Sequence, residues 1–87
     1  MSSEEILQGL TAASARLDQA RHHVAAAAEA AAEAQTLVSA ALRGSSAGPL
    51  VAMIGSVREG SAKVAGEIPA VKSRLEETIQ RVRALGN

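Results

Sequence analysis

The stretch Gly44-Ser45-Ser46-Ala47-Gly48-Pro49 decides the fold, because there every local signal turns against a continuing helix. Glycine accepts the left-handed backbone that ends a helix, and serine caps a new one. Proline suits a first turn, whose N–H has no intrahelical partner in any case. A connection this short returns the following helix alongside the preceding one. The reading is an all-α fold, an antiparallel two-helix hairpin. It comprises a helix over about 3–43, a turn over about 44–48 and a helix over about 49–85 in a single domain, 1–87.

Working back towards the N-terminus, nothing interrupts the helical pattern except Gly9, which costs about 1 kcal/mol relative to alanine. Ser2 and Glu5 have capping-box spacing, and Glu4 and Glu5 suit the positive end of the helix dipole. Leu10, Leu17, Val24, Ala31 and Val38 recur every seven residues. Ile6, Ala13, Ala20, Ala27, Ala34 and Ala41 form a second row with the same repeat. Alternating steps of three and four define the seam of a coiled coil. An alanine row lets a neighbouring helix approach closely, although alanine is also simply the best helix former.

Forward of the turn, Leu50, Val57, Val64, Val71, Thr78 and Leu85 make one row, and Ile54, Ser61, Ile68, Leu75 and Val82 make the other. Arg81 and Arg83 favour the C-terminal end, and Gly86 follows as a stop. Pro69 removes a hydrogen bond and crowds the carbonyl of Ala65, at a cost of about 3 kcal/mol. It could therefore begin a third helix. Both rows nevertheless run past it without losing a residue, so the second helix is expected to be continuous and kinked near Pro69. Gly55, Gly60, Ser61, Gly66 and Pro69 together make residues 55–69 the stretch of lowest intrinsic helicity.

Composition narrows the function. The 87 residues contain no Phe, Trp or Tyr, so a core must be built from close-packed aliphatic side chains. So short a chain buries a small fraction of its surface, which favours help from a partner. Nine basic and nine acidic residues give a formal net charge of zero, without the basic footprint that nucleic-acid binding needs. Without cysteine there is no disulfide, thiolate metal site or cysteine nucleophile. The acidic start does not read as a signal peptide, and the longest uncharged run, Gly44 to Val57, is too short for a transmembrane segment. A cytoplasmic location is expected, with export without a cleavable signal peptide as the alternative.

His22-His23 is the one chemically suggestive pair. Neighbours on a helix point about 100° apart and cannot chelate one ion. His22 shares a side with Asp18, and Glu29 and Glu33 lie further along it, but a solvated polar face explains this stripe better than a metal site. His23 flanks the seam, and in a dimer paired antiparallel through the first helix it would meet its symmetry mate. Serines lack an orienting His–carboxylate pair, the glycines lack P-loop spacing, and two helices enclose no deep pocket. No enzyme, cofactor or metal is expected.

The layout of two nearly equal helices about a short central turn resembles the ESAT-like (WXG-type) helical-hairpin proteins. That resemblance implies dimerisation into a four-helix bundle and export by a type VII system. The turn here is Gly44-Ser45-Ser46-Ala47-Gly48-Pro49 in place of Trp-x-Gly, and there is no tyrosine for the secretion signal, so no functional residue carries over. The Ala/Val/Arg-rich style and the ending Arg83-Ala84-Leu85-Gly86-Asn87 are similar to short helical proteins of actinobacteria.

A lone hairpin leaves Leu7, Leu37, Leu42, Val51, Met53 and Ile79 beside the seam, on an apolar face wider than two helices cover. The expected function is a helical protein–protein interaction module, acting as a homodimer or with another helical partner. An exported type VII-like hairpin is the alternative, and a small metal- or ligand-binding bundle the third reading.

Overall fold

A computed structural model describes residues 2–43 and 48–86. They form two α-helices of 39 residues each, α1 (Ser3–Ala41) and α2 (Gly48–Gly86), and no strand occurs among the described residues. The molecule is a rod, 68 × 15 × 15 Å along its principal axes. The helices run antiparallel: Ser3 lies against Gly86, Asp18 pairs with Lys72, and Gln35 lies against Gly55.

α1 starts where the capping signal places it. Ser2 is extended, with φ −79° and ψ 158°, and its Oγ accepts from the Glu5 N–H at 3.2 Å. The helix ends at Ala41, slightly before the expected Arg43, and the Leu42 N–H donates to the Val38 carbonyl at 2.9 Å. The expected glycine cap at Gly44 and the serines that follow it lie outside the described residues. α2 begins at Gly48, with Pro49 in its first turn where a missing N–H is harmless. It then runs unbroken through Pro69, so the alternative of a third helix starting there is not adopted. Pro69 is exposed, which leaves water free to reach the carbonyl it strands.

The interior is thin. Among the described residues, those reaching core burial are Ala31, Ile68 and Ile79, and no large side chain is fully enclosed. The 8.8 kDa chain exposes 6287 Å², whereas a compact folded monomer of that mass exposes about 4,800 Å². Two helices with one line of contact cannot surround any side chain, and most of the apolar surface stays at the edges.

Candidate interaction surface

Burial follows a seven-residue period on both helices, but with a second row different from the one the spacing suggests. On α1 the row Leu10, Leu17, Val24, Ala31 and Val38 faces α2, being half-buried or buried throughout. Its companion is the row four residues on, in which Leu7, Ser14, Ala28 and Gln35 are half-buried. Of the alanine row, Ala13, Ala27 and Ala41 are exposed, while Ile6, Ala20 and Ala34 are half-buried at its edge. α2 repeats the arrangement. Ile54, Ser61, Ile68, Leu75 and Val82 face α1, together with Val51, Ala65, Lys72 and Ile79. The row Leu50, Val57, Val64, Val71, Thr78 and Leu85 is exposed along its whole length, with Val57 at 59 % and Leu85 at 87 %.

On each helix a flanking row lies about 50° to either side of the central row, because every flanking residue is four positions from one central residue and three from the next. Each helix therefore offers a central apolar row with an aliphatic flank on one side and a mixed apolar and polar flank on the other, and a two-helix contact has width for two rows. The contact takes the central row and the flank that carries Gln35 on α1 and Lys72 on α2. Polar anchoring then secures that side: Lys72 Nζ donates to Asp18 Oδ1 at 2.7 Å, and Gln35 Nε2 donates to the Val51 carbonyl at 3.2 Å. Arg58 Nη1 in turn donates to Gln35 Oε1 at 3.3 Å. The hydrogen bond from Lys72, aided by its charge, holds the Asp18 carboxyl below the usual aspartate range.

The two broad sides of the rod consequently differ. On one side Thr11, Asp18, Glu76 and Arg83, with Ala15 and Ile79 between them, line a shallow groove to which both helices contribute. The rows left out of the contact lie across the helix axes from that groove, so both fall on the opposite side and form one surface. The antiparallel contacts also fix its layers, since each step forward on α1 is matched by a step back on α2. Ala41 is level with Leu50, Ala34 with Val57, Ala27 with Val64, and Ala20 with Val71. Every one of these layers joins an alanine from α1 to a larger aliphatic residue from α2. Leu37 and Met53 flank the same side and are mutually level, at 69 % and 68 % exposure.

The seven-residue period is legible in the sequence, whereas the flank that meets the partner helix, with Gln35 and Lys72 on it, is not an apolar row. His22 and His23 are both exposed. Among the described residues no group of three or more His, Cys, Asp or Glu side chains comes together to hold a metal ion, and no helix is long and apolar enough to cross a membrane.

The described residues thus form a helical hairpin. A model of a family of unknown function, DUF6244, matches residues 1–87. The chain belongs to the DUF6244 family. No curated protein and no solved structure matches it. The hairpin layout expected from the sequence is present.

Proposed function

We propose that this chain is a non-enzymatic protein–protein interaction module that works by self-association through its apolar side, two hairpins closing into a four-helix bundle. The observation that carries this reading is the row Leu50, Val57, Val64, Val71 and Leu85, interrupted by Thr78 and left exposed beside a level row of α1 in which five of six residues are alanine. Scattered exposed aliphatics are ordinary, but a stripe along a whole rod is the pattern of a surface awaiting a partner. The large exposed area for so small a chain supports the same reading.

Light scattering across a concentration series tests it. The expected result is a mass of two chains, falling to one chain in the doubly substituted Val57→Glu, Val64→Glu protein. A chain that is monomeric and cooperatively folded at every concentration would overturn it. Action in the cytoplasm is part of the proposal. The alternative, an exported hairpin of a type VII-like system, is favoured by the layout alone, and secretion ATPase genes beside its own would raise it.

A further inference from the structure

Resting on that reading, we propose a specific mate and a specific orientation: a second copy of the same chain, with the Ala41/Leu50 ends of both copies together. In this arrangement α1 of each copy lies on α2 of the other. The two-fold axis runs parallel to the helices, and all four neighbouring helix pairs are antiparallel.

Two features of the surface select it. A two-fold axis along the rod keeps every layer at its own level and exchanges the helices across the interface. Ala34 of one copy then faces Val57 of its mate, Ala27 faces Val64, Ala20 faces Val71 and Ala41 faces Leu50. Small meets large in each, the alternation by which facing rows interdigitate. The opposite orientation, with the two ends reversed, sets alanine on alanine along one edge and valine on valine along the other.

The flanks discriminate more sharply. With the like ends together, exposed Leu37 of each copy covers exposed Met53 of the other, and His23 meets Glu67. The one unfavourable flanking pair is Arg16 with Arg74. Reversing one copy turns Leu37 onto Gly9 and Met53 onto Arg81, and brings His23 to His23 and Glu67 to Glu67. An isologous contact places like residues together only near its axis, and this surface fills those axial positions badly in the reversed form. The area is also adequate. A face about 60 Å by 15 Å supplies on the order of 900 Å² per copy, close to the roughly 800 Å² per partner of a standard stable interface.

The chain contains no cysteine, so engineered disulfides report the orientation without background. Chains carrying Leu37→Cys and chains carrying Met53→Cys are purified separately, mixed and oxidised mildly. The expected result is a covalent two-chain species in the mixture, at least tenfold more abundant than in either protein alone, and none from His23→Cys. Efficient self-linking of the His23→Cys protein, with no link in the mixture, would overturn the orientation while leaving self-association intact. A dimer by light scattering that forms neither link would overturn it as well. A monomer at every concentration would overturn both this inference and the reading it rests on. All three positions are exposed, and circular dichroism of each variant verifies that the hairpin is retained.

Discussion

Lys72 Nζ sits 2.7 Å from Asp18 Oδ1 and ties α2, one turn past Pro69, to the middle of α1. The hydrogen bond from Lys72 depresses the Asp18 pKa, so the ion pair stabilises the fold at pH values above the unfolded aspartate value of about 3.9. That contribution disappears as the pH falls through the still lower folded value. Asp18→Asn is expected to melt at a slightly lower temperature than the parent at pH 7. The gap should close in acid and shrink in high salt. Thermal melts of both proteins across pH measure it, and a gap that widens in acid would contradict the assignment.

Ile68 and Ala31 make opposite demands on the same contact. Ile68→Ala removes one of the few well-buried side chains and is expected to cost about 2 kcal/mol, the low end for such truncations because a thin hairpin lets water refill the site. Ala31→Leu forces extra volume into a buried position of the helix contact and should cost about 1–3 kcal/mol. Ala27→Leu, on the exposed row, should leave the stability of a single chain within about 0.5 kcal/mol and weaken self-association instead. Denaturant titration at low and high protein concentration separates these outcomes.

Pro69 is held inside a helix that continues on both sides. Pro69→Ala restores an N–H donor and relieves crowding at the Ala65 carbonyl, so unfolding free energy should rise, by at most about 3 kcal/mol. A loss of stability would mean that the ring makes a contact the hairpin needs.

Gly55 and Gly60 lie in the same weak stretch but differ in their surroundings. A Cβ at Gly60 meets nothing within 4 Å, whereas one at Gly55 comes within 2.9 Å of Gln35 Nε2. Gly60→Ala should therefore gain about 1 kcal/mol from helix propensity alone. Gly55→Ala should gain distinctly less, because the Gln35 amide must shift from its bond to the Val51 carbonyl. Equal gains in chemical denaturation would argue that this hydrogen bond contributes nothing.

Much of this fold is legible residue by residue. Ser2 and Glu5 announce where α1 starts, Pro49 marks the first turn of α2, and rows seven residues apart declare long helices, because these are local properties of the backbone and its caps. Burial then divides residues the sequence treats alike. Leu10 and Ile54 belong to rows that meet inside the chain, whereas Val57 and Ala27 have the same spacing and lie outside. Lys72, a charged residue that no apolar pattern selects, enters the contact because its stem packs there while its ammonium reaches Asp18. Periodicity by itself thus determined that the chain forms two amphipathic helices, each with two seven-residue apolar rows and a few further apolar residues beside them. Only tertiary packing decided which two rows meet, since the contact between two cylinders is narrower than three rows and the partner helix must take one adjacent pair. The row left over is where this protein's function is now to be sought.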